Sequence, residues 1–226
     1  MKIKNTCIIQ DLGLIDYGEA YCLQKQYLQE IIKGGDQVLL LCEHPTTLTL
    51  GRLADSQNIL IQERILEEKG VKVYPIDRGG DVTVHAPGQL IAYPIFDLSY
   101  YGKDLRLYLS KLEQVAIDLL KGFDIVSYRF SGRTGVWVND EKIASIGIGV
   151  KKWISFHGLA INVNTDLEVF SLIRPCGLDV QITSIAEIKR HPINMTEAKR
   201  LLIDSFNKNF SMNNNISTEG VRVDSA

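Results

Sequence analysis

Hydrophobic and polar residues alternate along this chain in short blocks that change repeatedly between a strand-like and a helix-like period. Two-residue alternation or compact apolar runs predict strands at residues 2–10, 37–42, 46–50, 71–76, 82–85, 90–96, 125–130, 135–138, 142–150 and 155–164. Apolar stripes at helical spacing predict helices from Asp16 to Gly34, at 59–69, at 105–121 with Asp104 as the N-cap, and at about 196–210.

The order of these elements bears on the fold class. Strands come in groups with helices between the groups, which favours an α+β domain with a mixed, largely antiparallel sheet over a regular βαβ alternation. We expect residues 1–210 to form a single domain. Residues 211–226 contain few apolar side chains, and we expect them to form a mobile C-terminal tail.

Composition and charge narrow the classes of partner. The 25 basic and 27 acidic residues give a net charge of −2, which offers no basic surface for nucleic acid and no polybasic membrane anchor. The N-terminus lacks the apolar run of a secretory signal, so we expect a cytoplasmic protein. The 4 cysteines are scattered without C-x-x-C spacing, which indicates free thiols.

The segment from Arg78 to Gln89 is a candidate binding wall. Gly79 and Gly80 let the backbone approach a ligand closely, and Thr83 and His85 would share one face of the following strand. A glycine hairpin with a hydrogen-bonded surface histidine is the alternative reading of this pattern.

Lys142 and Cys176 are the candidate reactive residues. Lys142 begins a strand of small and aliphatic residues, where desolvation would favour a neutral amine that can act as a base, although most strand-edge lysines are simply solvated. Cys176 lies between proline and glycine in an apparent loop, a more reactive setting than the apolar run before Cys42. Cys42 and His44 lack a second ligand pair at zinc spacing, so we expect no metal site.

Several motifs in a fixed order resemble the lipoyl(octanoyl) transferase family. The resemblance covers nearly the whole chain, about residues 8–210. The motifs that carry it are Arg78-Gly79-Gly80 with Thr83-x-His85-x-Pro87-Gly88-Gln89, Tyr93-Pro94, Gly132-Arg133-Thr134-Gly135-Val136-Trp137, Lys142-Ile143-Ala144-Ser145-Ile146-Gly147, His157-Gly158-Leu159-Ala160-Ile161-Asn162 and Pro175-Cys176-Gly177. Ala86 and Ala92 stand where glycine is common in similar sequences.

The resemblance implies a fold, a reaction and a site. It implies the fold of biotin and lipoate ligase catalytic domains, and transfer of an octanoyl group from acyl carrier protein to a lysine of a lipoyl domain without a cofactor. Cys176 would form a thioester with the acyl chain, and Lys142 would lower the pKa of that thiol. The acyl substrate would be lined by Arg78, Gly79, Gly80, Asp81, Val82, Thr83, Val84, His85, Ser145, Ile146, Gly147, Gly158, Leu159 and Ala160.

Three other functions stay open on the sequence. An ATP-dependent lipoate or biotin ligase would share the fold but needs no nucleophilic cysteine. A binding module for acylated carrier or lipoyl domains would need neither Lys142 nor Cys176. A cysteine hydrolase would use His85 or His157 as its base. We expect a monomer, because both protein substrates must reach one cleft.

Overall fold

The computed structural model describes residues 6–174 and 180–216, and of 213–216 it describes the backbone alone. The strands are β1 (Thr6–Leu14), β2 (Gln37–Glu43), β3 (Thr47–Leu50), β4 (Lys72–Pro75), β5 (Val82–His85), β6 (Gln89–Ile95), β7 (Tyr128–Phe130), β8 (Arg133–Val138), β9 (Glu141–Lys151), β10 (Ile154–Asn162) and β11 (Asn213–Ile216). The helices are α1 (Tyr17–Ile32), α2 (Glu63–Glu68), α3 (Leu105–Gly122), α4 (Ile185–Lys189) and α5 (Met195–Phe210).

The main sheet has eight strands in the order β11-β1-β2-β6-β10-β9-β8-β7. β1 pairs in parallel with β2 and β11, and the other neighbours are antiparallel. A smaller sheet, β4-β3-β5, combines a parallel and an antiparallel pair. The predicted α+β class with a mixed sheet is therefore confirmed.

Helices cover both faces of the main sheet, as the central strand β2 requires. Leu39 and Leu41 pack with α3 and α5 on one face, while Leu40 and Cys42 pack with α1 on the other. Alternate side chains of a strand point to opposite faces, so a strand covered on both sides reads as one continuous apolar run. Asp104 caps α3 as predicted, because its carboxylate accepts the N–H groups of Arg106 and Leu107.

The structure differs from the predicted elements in three places. The helix expected at 59–69 is shortened to α2, because Ile59 forms an antiparallel bridge with Ile173 instead. α4 is too short to show a helical period and was not predicted. Residues 213–216, which we placed in the tail, pair as β11 with β1, because backbone pairing needs no apolar side chains.

Two further properties concern the whole of the described chain. No helix within residues 6–174 and 180–216 combines the length and the apolar composition that crossing a membrane requires. Cys7, Cys22 and Cys42 are free thiols, and among them only Cys22 is exposed.

Candidate active site

Close backbone packing joins the Arg78–Gly80 loop to β9. The Gly79 N–H donates to the Ile148 carbonyl at 2.8 Å. A Cβ on Gly147 would lie 2.9 Å from Cδ of Arg78, and a Cβ on Gly51 would lie 2.2 Å from the Gly80 carbonyl oxygen. Glycine is therefore required at these positions so that the loop can lie directly on its neighbours.

Arg78 is the buried charge of this loop. Its Nη2 donates to the Thr49 carbonyl at 2.8 Å and to the Thr49 hydroxyl at 3.0 Å, and Nη1 donates to the Gly79 carbonyl at 2.9 Å. The side chain is only 7% exposed. These bonds fix the guanidinium between β3 and the loop, so its charge acts on the groups around it.

The predicted substrate-binding segments converge on one cavity, which we call the first cavity. Its empty volume is about 610 Å³, with open solvent at the mouth included. All of the predicted substrate-binding residues line it except Gly79 and Val84. Gly79 lines a neighbouring cavity, while Val84 is fully buried in the apolar cluster beneath the small sheet. Thr83 and His85 share the cavity face of β5, as their spacing predicts.

Tyr17, Ile91, Tyr93 and His157 also line the first cavity, although the sequence-based site does not include them. Tyr17 comes from the first turn of α1, and its ring is stacked on His85 with 5.8 Å between centroids. No local motif marks Tyr17, since only the packing of α1 on the sheet brings it here.

Lys142 lies at the start of β9 and is 7% exposed. Its N–H donates to the Gln181 carbonyl at 2.8 Å, and its carbonyl accepts the Thr183 N–H at 3.0 Å. Its Nζ lies 5.9 Å from the centroid of the Trp137 ring. A Cβ on Gly135 would lie 2.7 Å from the Lys142 Cε, so this glycine leaves room for the lysine side chain.

The expected partner of this lysine, Cys176, lies outside the described residues. The Lys142–Cys176 dyad therefore stays a prediction. Lys142 itself lines both the first cavity and the neighbouring one, which places it where the two meet.

A partly buried polar network holds His157 in the lining of the first cavity. The His157 Nε2 lies 3.1 Å from Asp77 Oδ1, which also accepts the Tyr21 hydroxyl at 2.7 Å, and Lys25 donates to Asp77 Oδ2 at 2.6 Å. A carboxylate can only accept, so we assign the ring proton to Nε2, and Nδ1 then accepts the Tyr17 hydroxyl at 3.4 Å.

The backbone of His157 is held as firmly as its ring. Its φ is +56°, in the left-handed region, and its N–H donates to the Gln24 side chain at 2.7 Å. Gly158 follows, where a Cβ would lie 2.3 Å from the Ala92 carbonyl oxygen. Helix α1 thus fixes β10 where β10 begins to line the first cavity.

The histidines of the first cavity are neutral at pH 7. Burial, with a smaller contribution from nearby His44, lowers the pKa of His85 to about 3. Burial lowers the pKa of His157 to about 4, although the hydrogen bond with Asp77 opposes that shift. A general base works best with a pKa near the operating pH, so neither ring suits the base of a cysteine hydrolase.

Asp77 has a pKa far from its ordinary range as well. Burial alone would raise it, but hydrogen bonds from Lys25, Tyr21 and His157 outweigh burial and lower the pKa of this carboxyl well below its usual value. Asp77 is therefore an anion that anchors three donors.

A metal site does not emerge from the described residues. Within 6–174 and 180–216 no three acidic, histidine or cysteine side chains cluster as ligands. Cys42 and His44 are in contact, but the His44 ring nitrogens bond to the Ile15 carbonyl and the Tyr93 hydroxyl. Those bonds leave His44 without a free ligand atom.

Solved structures with a similar fold identify the class of domain to which this chain belongs. A bi-partite lipoate protein ligase from Thermoplasma acidophilum, solved in a study that includes its E2 lipoyl domain, superposes with a TM-score of 0.71 at 13% identity and covers 98% of this chain and 89% of that one. The biotin protein ligase from Aquifex aeolicus gives a TM-score of 0.53 at 15% identity and covers 90% and 70%. The fold is that of lipoate and biotin ligase catalytic domains, as predicted.

Sequence similarity identifies the family more closely. The model of the lipoyl protein ligase A/B catalytic domain matches residues 16–207, so this chain belongs to that family. An octanoyltransferase from Syntrophotalea carbinolica is 42% identical over 88% of this chain and 92% of its own length. One from Caldicellulosiruptor saccharolyticus is 44% identical over 93% and 89%.

Proposed function

We propose that this chain transfers an octanoyl group from acyl carrier protein to the lysine amine of a lipoyl domain, through a thioester on Cys176. The octanoyltransferases that are 41–45% identical to this chain confirm that its activity is octanoyl transfer, which makes it an acyltransferase. The carrier protein as donor, the thioester and the roles of individual residues belong to the proposal. Its main support is the position of Lys142, which lines both cavities.

The first cavity suits an acyl chain. Val82, Ile91, Ile146, Leu159 and Ala160 give it aliphatic walls. At about 0.8 kcal/mol per buried methylene, an octanoyl chain contributes about 5 kcal/mol of binding free energy there. The buried rings of Tyr17 and Tyr93 also line this cavity and limit the space left for the chain.

Cys176 is close enough in sequence to meet Lys142. Gln181, whose carbonyl accepts the Lys142 N–H, is five residues beyond Cys176. An extended chain spans at most about 3.6 Å per residue, so the Cα atoms of Cys176 and Gln181 are within about 18 Å of each other. Contact between the Cys176 thiol and the Lys142 amine is therefore compatible with the chain path.

The first half-reaction needs a thiolate and a proton donor. An ordinary thiol with a pKa of about 8.5 is only about 3% ionised at pH 7, and a nearby ammonium group raises that fraction. The Cys176 thiolate attacks the thioester carbonyl of the donor, the carbon–sulfur bond to the carrier breaks, and Lys142 gives its proton to the departing thiolate. Thiol replaces thiol, so this step is nearly balanced.

The second half-reaction reverses the role of Lys142. The neutral amine of Lys142 takes a proton from the acceptor lysine as the acceptor nitrogen attacks the acyl carbonyl. The bond to the Cys176 sulfur breaks, the thiolate is restored and an amide forms. Because an amide is more stable than a thioester, this step drives the reaction forward.

Mass spectrometry of the intact protein tests the thioester. Incubation with octanoyl-acyl carrier protein in the absence of ATP is expected to add one octanoyl mass, which peptide mapping locates on Cys176. The adduct should persist in Cys22→Ala, the matched control for an exposed thiol, and disappear in Cys176→Ala. An adduct on Cys22, or transfer that requires ATP and free octanoate, would overturn the proposal and favour a ligase.

The remaining predictions concern the oligomeric state and the cellular location of the enzyme. Donor and acceptor domains must both reach one site, so we propose a monomer in the cytoplasm. Light scattering at working concentration tests the oligomeric state, and a stable dimer that occludes the first cavity would contradict it.

A further inference from the structure

A second cavity adjoins the first one at Lys142. Gly80, Lys142, Ile146 and Gly147 line both cavities. The second cavity continues along α3 and the β7–β8 hairpin, where its walls include Leu109, Gly132, Arg133, Thr134 and Trp137. A linear molecule can therefore extend from one cavity into the other past Lys142.

Among residues 6–174 and 180–216, the lining of the second cavity carries positive charge and no carboxylate, and its ionisable side chains are Arg133 and Lys142. The Arg133 guanidinium lies over the Phe130 ring, 5.1 Å from the centroid, and over the Trp137 ring at 6.0 Å. Within the described ranges Arg133 has no acidic partner. The cavity therefore favours an anion over a protonated amine.

Trp137 adds an unused hydrogen bond donor to this wall. Its side chain is 2% exposed, and its Nε1–H has no acceptor in the described part of the chain. An indole N–H can only donate, and a buried donor without an acceptor costs free energy. An amide carbonyl beside the ring is the kind of group that would remove this cost.

We propose that the second cavity binds the phosphopantetheine arm of the acyl donor, with the phosphodiester at Arg133 and an amide carbonyl beside Trp137. This inference rests on the proposed function, in which the acyl chain fills the first cavity and the thioester lies beside Lys142. The arm on the other side of the sulfur must then extend away from the first cavity. Its negative phosphate and its amide groups match the cations and the free donor on this wall.

The lysine of the acceptor domain is the competing occupant. In its protonated form it would meet Arg133, which carries the same charge, and its alkyl chain offers Trp137 no acceptor. The second cavity is therefore matched to the donor, and the amine enters after the arm has left.

Acylation by small donors tests the proposal without the carrier protein. The rate of acyl-enzyme formation is measured with octanoyl-phosphopantetheine and with octanoyl-pantetheine, which differ by the phosphate. In the unmodified enzyme the phosphorylated donor is preferred, and Arg133→Gln should reduce that preference about tenfold. Arg133→Lys keeps the positive charge and should therefore retain part of the preference for the phosphorylated donor. Arg64→Gln, an exposed arginine of α2 that lines neither cavity, should leave the preference unchanged.

A second variant examines the tryptophan. Trp137→Phe keeps most of the ring but removes the N–H, so acylation by both donors should slow about threefold to tenfold, with thermal melting as the check on folding. An unchanged donor preference in Arg133→Gln overturns the inference, as does an effect of Arg133→Gln confined to the amine step. If no donor acylates the unmodified enzyme, the proposed function itself fails.

Discussion

Two groups of residues in and behind the lining of the first cavity differ in what holds them in place. The glycine wall, which we define as Gly51, Arg78–Gly80 and Gly147, depends on backbones that approach too closely for a side chain. The polar wall, Tyr17, Asp77 and His157 with Lys25 and Tyr21, depends on partly buried hydrogen bonds around the Asp77 carboxylate. The glycine wall should therefore be disrupted by an added side-chain atom, whereas the polar wall should be disrupted when its groups change protonation state.

The largest expected effect is a loss of stability in acid that comes from the two buried histidines of the first cavity, His157 of the polar wall and His85. His85 and His157 have a pKa of about 3 and about 4 when folded, below the reference value near 6.5. The unfolded chain therefore binds more protons below pH 6.5, and the contribution of each neutral ring is lost as the pH falls from there toward the folded pKa. Between pH 6.5 and 5 each histidine should cost about 2 kcal/mol.

Urea unfolding at pH 6.5 and 5 measures this loss in the unmodified chain and in His157→Asn. Asparagine accepts the left-handed backbone of position 157 but does not titrate, so the variant should lose about 2 kcal/mol less between the two pH values. His191→Asn removes an exposed ring and should leave the pH dependence as it was. An equal pH dependence in all three proteins would refute the buried neutral His157.

The glycine wall is tested by adding one methyl group. Gly51→Ala should destabilise the protein by about 1–3 kcal/mol and slow acylation, because its Cβ would collide with the Gly80 carbonyl. Gly79→Ala, on the loop that Gly51 packs against, is the control for stability, since the nearest non-neighbouring atom to its Cβ would be 3.7 Å away. Thermal melting of the two variants compares them, and equal melting temperatures would contradict close packing at Gly51.

A smaller effect is expected when Asp77, whose carboxylate is the shared acceptor of the polar wall, loses its charge. Asp77→Asn keeps the shape but loses the charge that accepts from Lys25, Tyr21 and His157, so we expect a cost of about 1–2 kcal/mol and slower octanoyl transfer. Asp204→Asn, which breaks the exposed pair with Arg200, should cost under about 0.5 kcal/mol. Denaturant titration measures the unfolding midpoint of each variant, and equal midpoints would contradict this account.

The difference between the walls also explains what the sequence could predict. Close backbone approach at Gly79 and Gly80 of the glycine wall was predicted because adjacent glycines after a strand are visible in a short window of sequence, whereas Gly51 was not singled out. Tyr17, Tyr21 and Lys25 repeat along α1 at spacings that fit an ordinary helix, and nothing local indicates that Asp77 and His157 will meet them. Such contacts depend on tertiary packing, which periodicity does not encode. Val84 shows a different limit of sequence-based prediction. It belongs to a motif that we expected to line the acyl substrate, but its side chain is buried in an apolar core cluster.

The pairing of Lys142 with Cys176 is the central claim, and the pH dependence of Cys176 alkylation tests it most directly. Quantitative peptide mapping follows alkylation in the unmodified chain, in Lys142→Met, and in Lys151→Met at the other, exposed end of β9. We predict that the midpoint for Cys176 rises in Lys142→Met and stays unchanged in Lys151→Met. The same midpoint in all three proteins would contradict the account.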